Sequence, residues 1–78
     1  MKNNIFVNPS QLSHYFHACG VFYIPNTDIR AGGVQGYAES ENELYALIES
    51  EDWEHDSRVS KIICKEVMDG NIIRTWTL

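Results

Sequence analysis

Residues 40–51, which read SENELYALIESE, decide the fold of this chain. Ser40 and Glu43 have the spacing of a capping box, in which each side chain satisfies a backbone amide at the start of a helix. Three apolar residues follow at the spacing of one buried helical face, namely Leu44, Leu47 and Ile48. The stretch therefore predicts a helix over residues 41–51, and Trp53 closes its apolar stripe from the following loop.

Apolar and β-branched runs on both sides of this helix predict strands. Two runs precede the helix and two follow it, at residues 21–24, 29–38, 59–67 and 72–77. Pro25 opens a turn between the first two strands, and the glycines of the second strand indicate a bulge or an irregular edge. The resulting order is ββαββ in a single domain, residues 1–78. We expect an α+β fold in which the helix packs on an antiparallel sheet of about four strands.

The turn between the last two predicted strands contains Asp69 and Gly70. A two-residue loop at this point would place Lys65 opposite Arg74, and like charges in directly opposed positions destabilise a sheet. We therefore predict a three-residue loop with Gly70 in the left-handed conformation.

A second helix is predicted ahead of the strands, over residues 9–19. Asn8 can cap it, Pro9 suits the first helical position, and Gly20 supplies a left-handed stop. Four residues between these signals have helical spacing, namely Leu12, Tyr15, Phe16 and Cys19. We expect this helix to pack on the same sheet as the helix at 41–51.

The negative charge of the chain is concentrated in one segment. Eight carboxylates and no lysine or arginine lie between Ala31 and Ser57, so this segment carries −8, the remainder +3 and the whole chain −5. Such a field attracts basic surfaces and repels nucleic acid. Four cations lie on the predicted C-terminal hairpin, namely Arg58, Lys61, Lys65 and Arg74. Four cations are few for binding a phosphate backbone, so the sequence disfavours direct binding of nucleic acid.

The carboxylates of the central helix fall into two groups. Glu41 and Glu43 lie in the first turn, where the helix dipole stabilises an anion by about 0.3–1 kcal/mol. Glu49, Glu51 and Asp52 lie around the last turn, where the dipole and their mutual repulsion both oppose them. Because local rules broken without compensation are often functional, the second group indicates a binding surface.

A tyrosine accompanies these carboxylates on one side of the predicted helix. Tyrosine stacks on guanidinium groups, and carboxylates bind them bidentately, so the combination suits a basic protein surface that carries arginine. The predicted partner-binding residues are Glu41, Tyr45, Glu49, Asp52 and Glu54, with Tyr45 exposed among the carboxylates. The other interpretation is a solvated face that only keeps the protein in solution.

The sequence offers few candidates for chemistry. His14 and His17 lie three residues apart, a helical spacing that lets two histidines share a metal ion, but zinc would need two further ligands and Cys19 falls on the apolar face. Cys64 with His55 lacks the third group that would orient a catalytic base. We therefore predict a protein without catalytic residues, metal or other cofactor. A small metal-dependent or thiol enzyme is the third interpretation.

The ββαββ order, the acidic pI near 4.9 and the lack of a catalytic motif resemble small phage-encoded inhibitors of bacterial defence, especially anti-CRISPR proteins. The resemblance covers residues 21–77 in architecture and transfers no functional residue. It implies a non-enzymatic inhibitor, cytoplasmic in the bacterial host cell. Such an inhibitor would bind the basic nucleic-acid-binding surface of a CRISPR effector or another nucleic-acid-binding complex, as a nucleic-acid or DNA mimic.

A second resemblance is to antitoxins of the HicB type, whose sheet and single helix follow a similar order. It implies the alternative function of an antitoxin or a small regulatory protein-interaction domain. No apolar run approaches the roughly 18 residues needed to span a bilayer, so no membrane partner is expected. An exposed sheet edge would also allow a homodimer.

Overall fold

A computed structural model describes residues 12–78, which form one four-stranded antiparallel sheet and one α-helix. The elements are β1 (His14–Tyr23), β2 (Arg30–Ala38), α1 (Glu41–Ser50), a 3₁₀ turn (Trp53–His55), β3 (Val59–Met68) and β4 (Asn71–Thr77). The strand order is β2-β1-β3-β4. The α+β class and the ββαββ order are confirmed. Within these residues no helix is long and apolar enough to cross a membrane.

The central helix forms where the capping box predicts it. Ser40 has an extended backbone, and its Oγ accepts a hydrogen bond from the Glu43 amide at 3.2 Å and lies 3.1 Å from the Glu43 carboxylate. Leu44, Ile48 and Trp53 are buried against the sheet. Together with five strand residues they form the core on the helix side, namely Phe16, Ala18, Ala38, Ile62 and Cys64.

The predicted helix over residues 9–19 is wrong over residues 12–19, because residues 12 and 13 are not helical and His14–Tyr23 is a strand; residues 9–11 lie outside the described part of the chain. β1 pairs with β2 on one side and with β3 on the other, so its backbone groups are satisfied across both ladders. Its side chains alternate, with Phe16 and Ala18 buried in the core. The long-range ladders override a helical pattern whose members, Tyr15 and Phe16 among them, fall on opposite faces of the strand.

The β3–β4 hairpin has a two-residue turn, so the predicted three-residue loop is wrong. Asp69 and Gly70 both have positive φ, 50° and 82°, which is the conformation of a tight turn that matches the strand twist. The register then shifts by one residue, so that Arg74 pairs with Glu66 rather than with Lys65. A bulge in β4 thus avoids the like-charge pair that the longer loop was expected to avoid.

Candidate functional site

The structure divides the five predicted partner-binding residues into two groups. The first group is Glu41 and Tyr45, at the start of α1. The Tyr45 hydroxyl donates a hydrogen bond to Oε2 of Glu41 at 2.8 Å and accepts one from Nε1 of Trp76 at 3.0 Å. Tyr45 is half-buried against the core. The expectation of an exposed tyrosine among carboxylates is therefore wrong, because β4 presents Trp76 to it.

Arg74 of β4 completes this network. It donates through Nη2 to the Glu41 carboxylate and through Nε to Oε1 of Glu66 at 3.2 Å, and its guanidinium lies 4.1 Å from the Trp76 ring centroid. Nε2 of His14 lies 2.7 Å from the other oxygen of Glu66. Hydrogen bonds from Arg74 and then Tyr45 lower the pKa of Glu41. Glu41 and Tyr45 thus fasten α1 to the sheet, and the charge of Glu41 is neutralised within the chain.

The second group, Glu49, Asp52 and Glu54, lies at the opposite end of α1 and in the turn that follows, and it is exposed. Glu51 is exposed beside them, and we call the four carboxylates Glu49, Glu51, Asp52 and Glu54 the acidic end. Asp52 has a φ of 56°, and its Oδ1 lies 2.5 Å from Nδ1 of His55; this hydrogen bond raises the pKa of His55. The other three carboxylates are exposed and form no ion pair with any residue from 12 to 78. Buried Trp53 fixes the backbone beneath them.

Arg58, the nearest arginine or lysine in sequence, forms its ion pair with Asp56 and not with the acidic end. Arg58 donates from Nη2 to Oδ2 of Asp56 at 2.8 Å and from its backbone amide to Oδ1 at 2.9 Å. These bonds lower the pKa of Asp56 to about 2. The Arg58 guanidinium also lies 4.9 Å from the centroid of the Phe22 ring. Arg58 is thus held by its own loop, and the acidic end keeps its negative charge.

The structure separates the residues considered for chemistry. Because β1 is a strand, His14 faces α1, whereas His17 lies on the opposite face, 3.1 Å from Oε1 of Gln35. Cys64 is fully buried in the core, and burial raises the pKa of its thiol. His55 is exposed beside Asp52. Over residues 12–78 no cluster of three or more His, Cys, Asp or Glu could hold a metal ion.

A second surface, which the sequence analysis missed, is the sheet face opposite α1; we call it the open face. The pairing register places three tyrosines and three cations on it, namely Tyr15, Tyr23, Tyr37, Arg30, Lys61 and Lys65. The alternation along residues 14–23 was the signal for it. The predicted helix hid that signal, because it placed Tyr15 among buried residues.

Comparisons with known protein families, with curated proteins and with solved structures find no match to this chain. The fold and its surfaces therefore define the class: a small ββαββ domain with an acidic end on its helix and a cationic, aromatic face on its sheet.

Proposed function

We propose that this protein is a non-enzymatic inhibitor that binds a basic protein surface through its acidic end. The proposed partner is the nucleic-acid-binding surface of a bacterial defence complex, such as a CRISPR effector. One observation carries the proposal: Glu49, Glu51 and Glu54 are exposed and without an ion pair among the described residues, at the negative end of a helix dipole.

The arrangement of the acidic end works against the stability of the free protein. The last turn of α1 contains no basic residue, and each unfavourable dipole interaction costs about 0.3–1 kcal/mol. Asp52 adds a left-handed backbone, which most residues other than glycine avoid. A partner that brings arginine or lysine to these carboxylates would relieve the repulsion. Part of the binding free energy would then come from removing a repulsion that destabilises the free protein.

The chemistry of the acidic end suits a partner that normally binds phosphates. Arginine forms bidentate, charge-assisted hydrogen bonds with carboxylates and with phosphates alike. The acidic end would therefore occupy the same arginines as a nucleic acid and exclude it by competition. Buried Trp53 supports this role, since it holds the carboxylates on a fixed backbone and reduces the entropy lost on binding.

The test compares two double variants that change the net charge equally, by +2. Glu49→Gln with Glu54→Gln neutralises the acidic end, whereas Asn42→Lys with Asn71→Lys adds cations at exposed positions elsewhere. Asp52 is left intact because its φ of 56° suits aspartate better than a long side chain. The assays are binding to a panel of purified CRISPR effector complexes and inhibition of their DNA cleavage.

We expect the glutamine variant to bind about tenfold more weakly, equivalent to about 1.4 kcal/mol, and the lysine control to bind within a few-fold of wild type. Wild-type binding should also weaken as salt rises. If the glutamine variant inhibits as well as wild type at an unchanged melting temperature, the acidic end has no role in binding and is only a solvated surface.

A further inference from the structure

The open face carries cations that no strand carboxylate balances. Glu66 is the single carboxylate in the four strands, and it points toward α1, where His14 and Arg74 hold it. The open face therefore has no carboxylate among its described strand residues. It carries three cations instead, which are Arg30, Lys61 and Lys65.

These cations lie on two strands, β2 and β3, rather than at one point. Arg30 lies at the start of β2 and reaches over β1, with Nη2 3.2 Å from Sγ of Cys19. Lys61 and Lys65 lie four residues apart on β3 and so project from the same face of the sheet. Three cations distributed in this way can follow an extended polyanion across the sheet.

Aromatic rings lie beside the cations at both ends of the open face: Tyr23 next to Lys61 at one end, and His17, Tyr37 and Tyr15 next to Lys65 at the other. One row crosses all four strands in register and consists of Tyr37, His17, Lys65 and Thr75. The rings of His17 and Tyr37 are stacked with centroids 4.7 Å apart, and Tyr15 meets Tyr37 edge-on at 6.0 Å. Burial lowers the pKa of His17, so its ring is neutral at physiological pH and behaves as a flat aromatic surface.

We propose that the open face binds single-stranded nucleic acid, with bases stacked on Tyr15 and Tyr37 and phosphates held by Arg30, Lys61 and Lys65. Sheet faces that combine accessible aromatic rings with cations bind single strands, because every base has a face that can stack. Tyr15 and Tyr37 are half-buried, so part of each side chain is open to solvent. A duplex hides those faces inside its base stack and fits a sheet face poorly.

The acidic end does not prevent this binding. It lies on the helix layer, on the other side of the sheet, and the shortest extent of the molecule is 18 Å. At physiological ionic strength the screening length is about 8 Å, so the carboxylates of the helix layer act weakly at the open face. The inference is independent of the proposed inhibitor function, and either can fail without the other.

The experiment measures fluorescence anisotropy of labelled oligothymidine and oligouridine of about 12 nucleotides, within the usual site size for single strands, and of a duplex of the same length. Lys65→Ala is compared with Arg58→Ala, which removes the same charge away from the open face. A third variant, Tyr37→Leu, removes a ring without changing charge. Melting temperatures and circular dichroism confirm that each variant is folded.

We expect wild type to bind the single strands with a dissociation constant between about 1 and 100 µM and the duplex more weakly. Three phosphate contacts predict a slope near −2 for log K against log salt, which Lys65→Ala should reduce to about −1.4. Tyr37→Leu should weaken binding by about fivefold or more, since loss of one stacked base costs at least that much. Arg58→Ala should match wild type.

Three results would overturn the proposal. The first is no change in anisotropy for either single strand up to about 100 µM, the weak limit of nonspecific binding. The second is equal loss of binding in Arg58→Ala and Lys65→Ala. The third is self-association of the protein without nucleic acid, seen by analytical ultracentrifugation and abolished by Lys65→Ala. The open face would then bind the acidic end of a second copy of the protein.

Discussion

Leu47 of α1 packs closely over Gly36 of β2, and a double-mutant cycle between them tests how the helix packs on the sheet. Leu47 lies over Gly36, where an added Cβ would overlap with Cδ2 of Leu47 and would lie 3.3 Å from its Cγ. Gly36→Ala should therefore overpack the interface and destabilise the protein by about 1–3 kcal/mol.

The sign of this effect should reverse once Leu47 is shortened. Leu47 is only half-buried, so Leu47→Ala alone should cost about 1–2 kcal/mol, at or below the lower end for a buried leucine. The three atoms nearest to the added Cβ, which are Cγ, Cδ1 and Cδ2 of Leu47, are then gone. In that background alanine at Gly36 should stabilise the strand by about 0.5–1 kcal/mol, because glycine loses more backbone entropy on folding. The coupling between the two sites is about 1.5–4 kcal/mol.

Urea unfolding followed by tryptophan fluorescence measures all four corners of the cycle. Gly33→Ala is the matched control, since its Cβ would lie 2.6 Å from the carbonyl oxygen of Gly20, a backbone atom that Leu47→Ala does not remove. It should destabilise the protein equally in both backgrounds. If Gly36→Ala and Leu47→Ala add to within about 0.5 kcal/mol, α1 is not seated on Gly36 as described.

Three further predictions concern caps and titrating groups. Ser40→Ala should lower the free energy of unfolding by about 1 kcal/mol in urea melts, because the Glu43 amide loses its acceptor. Asp56 has its pKa lowered to about 2, so its contribution to stability is present above about pH 4 and lost as pH falls toward 2; Arg58→Ala should return that pKa toward 3.8 in an NMR titration. The pKa of His55 is raised by Asp52, so its contribution is present below pH 6.5 and lost as pH rises through the folded-state value; Asp52→Asn should remove the shift, and an unchanged His55 titration would contradict the hydrogen bond.

Local signals predicted the parts of the fold whose causes are local. The capping box of α1 and the alternating pattern of β3 each act within a few residues, and both elements form where they were expected. The sequence pattern misassigns the first part of β1 because one of its two partner strands is distant in sequence: His14 pairs with Met68. A central strand takes its stability from such ladders, so a helical spacing within it carries little weight.

In the candidate site, too, the sequence predicts what local structure determines and misses what distant residues determine. Glu49 and Glu54 are exposed because they project from a helix end and a turn, which sequence alone can indicate. Tyr45 was misplaced because its hydrogen-bond donor is Trp76, a residue 31 positions later in the chain. Glu41 likewise accepts a hydrogen bond from Arg74, a residue 33 positions later. No residue within the helix indicates either contact. Only the folded structure therefore shows that Glu41 and Tyr45 bind β4 and do not belong to the exposed acidic surface.

The central position of β1 affects the order in which the chain can fold during synthesis. Among the described strands, β1 and its neighbour β2 are translated first, whereas its second neighbour, β3, is complete only at Met68. Until then the backbone N–H and C=O groups on one edge of β1 have no partner from the described strands. Such an edge can pair with the same strand of another nascent chain, so the protein is most vulnerable to misassembly in the interval before β3 is translated. Slowing translation between β2 and β3 would lengthen that interval, whereas a circular permutant that begins at β3 would close the edge from the start.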